Sequence, residues 1–324
     1  MTSKGRLLGS FVAGRYTPVA MIVASLVLMV VAYWFPSVDA QMPAPAFIPL
    51  SAAWGRGVSL LLYVATAALF SRQTFFERRI HWKGTLYLWL AAVMTSSDCN
   101  PGVALLSLLF FLSLLSLLYC QYGSGELGLQ FAAFAFLGIA SLLTPCSLWL
   151  VPLFLTFGFF ANTFSFRGVM ASILGFATPF WLLFGAIYLL PQLEFLAYPF
   201  FDGIKSLFVF GVAEFSVLRG LQLLVALMVM VPAVSVYAGS ASPAKPLLRR
   251  RFLFIFVQSV YTLLVSFLVV GCEWTYCAWL LPGLAVMLSF VLSGKPTKLL
   301  DFYFIVIIVL FLVIYSYPLW LMLL

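Results

Sequence analysis

The residues able to do polar chemistry are few, and their types exclude more than they offer. The chain carries nine Asp and Glu, seventeen Lys and Arg and one His, His81. A single histidine rules out a His-cluster metal centre, and the five cysteines lack the close-spaced pairs of a tetrahedral zinc site. No metal site is expected, and no cofactor is indicated. Gly123-Ser124-Gly125-Glu126-Leu127-Gly128 has the spacing of a dinucleotide fingerprint. That fingerprint works only between a strand and a helix, and here it separates two apolar helical segments, so it reads as a turn. What remains is a set of four residues: Asp39, Asp98, Arg56 and Arg219. An arginine fork can bond two phosphate oxygens at once, and a carboxylate can serve as base or metal ligand. Brought together, the four would hold an anionic, lipid-linked substrate. Cysteine chemistry is a second possibility. Cys272 and Cys277 bracket a four-residue turn, a spacing that can meet the Cα separation a disulfide requires. Cys99 with Cys146 is the other pair at the same expected end of the molecule.

The elements that must position these residues are membrane helices. Of 324 residues, 65% are hydrophobic, 8% are charged and 34 are Phe. A soluble chain is roughly one-quarter charged, so this one cannot cover a water-facing surface. A transmembrane barrel would alternate apolar and polar residues along short strands. Here the apolar runs are continuous, as from Met21 to Phe35, which is the helical signature. The expectation is an all-α polytopic transmembrane bundle. Its spans are placed at 17–35, 50–71, 84–98, 101–120, 129–144, 147–164, 168–190, 218–239, 252–271, 277–292 and 302–322. That gives eleven, or ten if 129–164 forms one re-entrant hairpin. The short pair 129–144 and 147–164 is expected to be a tight hairpin broken at Pro145, its tip at or just below the outer surface and packed by other helices.

Charge sets the orientation. With the N-terminus inside, fourteen of the seventeen Lys and Arg fall on the cytoplasmic side, leaving Arg56, Lys205 and Arg219 outside, as the positive-inside rule requires. The C-terminus is then periplasmic. The net charge of +8 is loop charge facing anionic headgroups, and no nucleic-acid partner is implied. Six of the nine acids fall outside, which makes the outer face the place for polar chemistry. No Asp, Glu, Lys, Arg or His falls near the middle of a span, which disfavours ion-coupled transport of a polar solute. Residues 1–324 read as a single integral membrane domain with no soluble domain. The outer segments 36–49 and 191–217 are longer than turns, and Leu207 to Val212 reads as an interfacial or re-entrant helix. The first apolar stretch exceeds the usual signal-peptide core and is read as a retained helix.

Between Phe70 and Leu190 the chain carries Phe75-Phe76-Glu77-Arg78-Arg79, then Leu137-Gly138-Ile139-Ala140-Ser141-Leu142-Leu143, then Arg167-Gly168 leading into Leu174-Gly175-Phe176-Ala177-Thr178-Pro179. This pattern resembles a family of uncharacterised multi-pass inner-membrane proteins of Bacteroidota. The resemblance implies the bacterial inner membrane and no particular activity. A weaker likeness is to membrane glycosyltransferases that use polyprenyl-phosphate sugars. It implies an acid in the first outer loop, where Asp39 stands, and another in a following outer loop, where Asp98 stands. Three functions stay open: handling of a lipid-linked or hydrophobic substrate at the outer face, transport or flipping of such a substrate, and a structural subunit of a membrane complex. Membrane lipids are partners in all three, and membrane-protein partners in the last.

Overall fold

The computed structural model of the chain describes residues 17–34, 52–73, 83–94, 101–120, 127–160, 165–192, 197–207, 209, 217–240, 246–269, 272, 275–292 and 298–323. Among these residues no strand occurs. A helix pairs its own backbone, the one arrangement besides a closed barrel that apolar surroundings permit. The helices are α1 (Thr17–Trp34), α2 (Ala52–Arg72), α3 (Lys83–Met94), α4 (Pro101–Tyr119), α5 (Leu127–Leu143), α6 (Leu150–Phe160), α7 (Phe166–Leu189), α8 (Tyr198–Leu207), α9 (Val217–Ser240), α10 (Pro246–Leu268), α11 (Tyr276–Leu292) and α12 (Lys298–Leu323). Each of the eleven expected segments carries one of them, and α8 is the additional helix in 191–217. By length and composition, five are able to cross a membrane, at Trp54–Arg72, Pro101–Tyr119, Phe166–Leu189, Gly220–Tyr237 and Arg249–Leu268. The remaining apolar helices are shorter. This is the make-up of a helical membrane protein.

The outer segment 191–217 carries a short helix, α8, just before the expected interfacial stretch. It occupies Tyr198–Leu207 and so ends where the expected one, Leu207 to Val212, begins; residues 208 and 210–212 lie outside the described set. Its sequence is Tyr198-Pro199-Phe200-Phe201-Asp202-Gly203-Ile204-Lys205-Ser206-Leu207. Phe200 and Leu207 are buried while Phe201 and Lys205 are exposed, so one face of the helix is apolar and anchored.

Contacts between helix ends sort them into two layers. In the first, Lys83 Nζ donates to Gln73 O at 3.3 Å, and the Tyr119 hydroxyl donates to Gln73 Oε1. In the same layer Arg251 Nη2 donates to Leu118 O at 3.0 Å, and Tyr237 stacks on Phe252 with ring centroids 4.5 Å apart. This layer therefore joins the end of α2, the start of α3, the end of α4, the end of α9 and the start of α10. In the second layer, Gln222 Nε2 donates to Met94 O at 2.7 Å and the Tyr276 hydroxyl donates to Gln222 Oε1. That joins the end of α3 to the starts of α9 and α11. Direction thus alternates through α2, α3 and α4 and again through α9, α10 and α11. Arg72, Lys83, Arg167 and Arg249 to Arg251 mark the first layer, called the basic end below.

Two helices form the centre. Every residue of α11 except Phe290 is buried, and every residue of α3 except Trp89. By contrast α7 is buried only at Gly168, Ser172, Gly175 and Pro179, with Trp181 79% and Leu182 69% exposed. That small-residue line lies on α5. A Cβ at Gly175 would stand 2.3 Å from Phe131 O, and one at Gly138 2.6 Å from Phe176 O. Such approach of two backbones is how helices pack in lipid, where burying apolar side chains against each other gains little over burying them in lipid tails.

The chain does break at Pro145, as expected. The residue before a proline is driven out of the helical region, and Thr144 is extended, with φ −144° and ψ 107°. A 3-10 turn, Pro145–Trp149, then leads into α6. Pro145, Cys146 and Ser147 are buried. The hydroxyl of Thr144 bonds Ala140 O at 3.2 Å and pairs with Ser147 Oγ at 3.0 Å. The elbow is covered by α8, where a Cβ at Gly203 would stand 2.6 Å from Pro145 Cγ. The return helix α6 lies along α10, with Tyr261 donating to Trp149 O at 2.7 Å and Phe157 stacked on Phe254 with centroids 3.6 Å apart.

Candidate functional site

Of the four residues singled out for chemistry, Arg56 is described in full, Arg219 by its backbone, and Asp39 and Asp98 lie outside the described residues. Arg56 sits in the first turn of α2 and is half-buried; its carbonyl accepts from Ser59 Oγ at 2.7 Å. Arg219 is the third residue of α9, one helical turn before Gln222. Both helix starts belong to the layer opposite the basic end.

Two contacts join helix ends in this layer. Gln222 bonds the last carbonyl of α3, Met94 O, so the turn of α9 that bears Arg219 lies against the end of α3. A Cβ at Gly55, beside Arg56, would stand 3.6 Å from Pro101 Cδ, so the start of α2 lies against the start of α4. Residues 95–100, which include Asp98, connect those two points, Met94 and Pro101. Residues 35–51, which include Asp39, connect α1 to the start of α2. The buried support beneath is polar: Gln222 is 7% and Tyr276 3% exposed, and their hydrogen bond fixes both side chains where no water competes.

The cysteine at this end is paired differently from expectation. Cys272 bonds Cys146, with Cα atoms 5.6 Å apart, and not Cys277. Both Cys120 and Cys277 are buried thiols outside any disulfide; Cys99 lies outside the described residues. The local geometry explains the choice. Cys272 O accepts from the backbone N–H of Thr275 at 3.2 Å and from its hydroxyl at 2.9 Å, a turn that places Cys277 in the first turn of α11. The packing of α6 along α10 meanwhile brings the Pro145 elbow to the end of α10, next to Cys272.

Two polar residues that sequence reasoning left as cytoplasmic charge are buried. Arg251 is 1% and Lys83 4% exposed. Each bonds a carbonyl at or just past the end of a helix, Leu118 O in α4 and Gln73 O after α2. Helix C-termini leave carbonyls without intrahelical partners and concentrate negative charge, which cations satisfy. Their neighbours Arg249 and Arg250 are exposed, so Arg251 is set apart only by its position on the helix face. A cavity of about 20 Å3 lies between these groups, lined by Gln73, Lys83, Leu118, Ile255 and Val286 among others. Among the described residues no cluster of His, Cys, Asp and Glu could hold a metal ion.

No family model matches the chain, and neither a curated protein nor a solved structure matches it.

Proposed function

We propose that this protein crosses the bacterial inner membrane eleven times, N-terminus in the cytoplasm and C-terminus outside, and handles an anionic, lipid-linked substrate at its outer end. Three features support the topology. Helix directions alternate through α2, α3 and α4 and again through α9, α10 and α11, the described cations concentrate at one end as the positive-inside rule requires of a cytoplasmic face, and the disulfide sits at the opposite end, where an oxidising periplasm would maintain it. A reporter fused after Leu324 should be active only outside the cytoplasm, and one inserted in 241–245 only inside it. A cytoplasmic C-terminus would require an even number of crossings and sink the assignment.

The substrate reading is supported by the placement of two helix starts at one end of the molecule: the Gln222–Met94 hydrogen bond sets the start of α9, which bears Arg219, against the end of α3, and Gly55, beside Arg56, approaches Pro101 at the start of α4. The arginines would grip a phosphate by paired N–H bonds, and the acid would act on the group that the phosphate carries. Binding to a polyprenyl phosphate in nanodiscs tests it. Charge-assisted hydrogen bonds contribute about 1.5–3 kcal/mol, so Arg56→Gln and Arg219→Gln should each weaken binding by about tenfold or more. Arg250→Gln at the basic end should not. Equal binding by all of these variants and the parent would remove the outer site.

A further inference from the structure

The seam between α10 and α11 holds a second polar site, deep in the bundle. Along one face of α10 run Gln258, Ser259, Thr262 and Ser266, at 0%, 0%, 0% and 7% exposure. Opposite stand Trp279, fully buried, and the pair Pro282-Gly283 inside α11. Pro282 has no N–H to give to Ala278 O, which loosens this turn of α11 beside Trp279 O. Gln258 Nε2 enters there and donates to Trp279 O at 3.0 Å and to Thr262 Oγ1 at 3.2 Å. Thr262 in turn donates to Gln258 O at 2.8 Å. Both groups facing the amide nitrogen are therefore acceptors, which fixes the orientation of the side chain and turns Oε1 away from them, towards Gly283. A Cβ at 283 would stand 3.1 Å from that oxygen and 2.6 Å from Ser259 Oγ. Glycine keeps the space in front of the oxygen open.

Two polar atoms here are orphaned. Neither Gln258 Oε1 nor Trp279 Nε1 has a hydrogen-bond partner in the protein. An unmade hydrogen bond in a buried site costs more than a made one gains, and buried polar groups are almost always satisfied by protein or by ordered water. The orphans are complementary, one acceptor and one donor, carried by residues already bonded to each other. The guest must be neutral, because between Phe252 and Leu292 the only Asp, Glu, Lys, Arg or His is Glu273, in the turn beyond the disulfide. It must be small, because the seam is closed by fully buried side chains. One helical turn nearer the basic end, Ile255 and Val286 line the cavity shared with Gln73 and Lys83, whose volume of about 20 Å3 is room for a water. One turn the other way on α11 is Tyr276, bonded to Gln222. From Val286 to Tyr276 is ten residues of helix, about 15 Å at the usual rise.

We propose that the α10–α11 seam binds ordered water at Gln258 Oε1 and Trp279 Nε1, one helical turn from the cavity at the basic end. The inference stands whether or not the outer site takes a lipid-linked substrate.

Radiolytic hydroxyl labelling of the full-length protein in nanodiscs tests it, since radicals formed from a bound water oxidise the side chain beside it even where bulk solvent cannot reach. Trp279 should be labelled at least fivefold more than Phe134 and Phe154, which are equally buried but packed among apolar groups. Preincubation in 18O-water should carry the heavy isotope into the Trp279 product. Gln258→Leu should bring Trp279 down to the level of the two phenylalanines, while Gln258→Glu, which keeps an acceptor, should not. Labelling of Trp279 no stronger than that of Phe134 and Phe154 in the unsubstituted protein overturns the proposal. That measurement needs no variant to fold. Undiminished labelling in a folded Gln258→Leu protein overturns it as well.

Discussion

Serine at Cys146 or Cys272 should remove the protein's disulfide and cost it several kcal/mol of stability. The bond spans 126 residues of chain. Closing a loop of that order restricts the unfolded ensemble by about 4–5 kcal/mol in the chain-entropy account, and loss of a native disulfide in small secreted domains costs about 2–5 kcal/mol. The local consequence should exceed the global one. The Pro145 elbow interrupts a helix where the backbone cannot turn to water, and the disulfide ties it to the end of α10. Reduction should let the denatured parent accept two more maleimide-polyethylene glycol groups than it does without reductant, at Cys146 and Cys272. Cys277→Ser should leave that gain of two unchanged. A parent whose labelling does not rise on reduction has no such bond, and a stable Cys146→Ser protein would show that the elbow does not depend on it.

Leucine at Gly175 should separate α7 from α5. The contact there is between backbones. A Cβ at this position would stand 2.3 Å from Phe131 O and 3.0 Å from Phe131 Cα, atoms that cannot rotate aside as a flexible side chain would. Overpacking typically costs about 1–3 kcal/mol, and here the upper part of that range is expected. Since α7 is buried at only four residues, the loss should appear as exposure of α7 to protease at a temperature where the rest of the bundle resists. Gly185 is the control, on the same helix with nothing within 4 Å of its would-be Cβ; Gly185→Leu should behave as the parent. Equal protease resistance of Gly175→Leu and Gly185→Leu would show that α7 is not held by the Gly175 contact.

These two expectations come from opposite kinds of residue, and the difference bears on what a sequence reveals. Gly175 is one of 22 glycines, and nothing local distinguishes it from Gly185 ten residues on. Its role exists only because Phe131 faces it. The cysteines repeat the lesson. Cys272 and Cys277 were the closer pair by spacing, yet Cys272 is taken by Cys146, because α6 packs along α10 and delivers the elbow. The starts of α2 and α9 do come to the same end of the molecule, while Asp39 and Asp98 lie outside the described residues.

By itself the sequence determined that the chain is helical, where its apolar segments lie and how its cations are biased, because each is fixed by one-dimensional quantities. In lipid the backbone must pair with itself, so apolar length and proline position suffice to place a helix. Which face of each helix meets which neighbour was decided only by the tertiary structure. These helices are apolar nearly all round, so no amphipathic stripe marks an inner side as it does in a soluble protein. That is why the burial of Lys83 and Arg251 against helix-end carbonyls, the Cys146–Cys272 bond and the Gln258–Trp279 seam were illegible beforehand. Each depends on a contact between helices, and in an apolar solvent such contacts are chosen by close backbone fit and by a few hydrogen bonds, not by hydrophobicity that could be read along the chain.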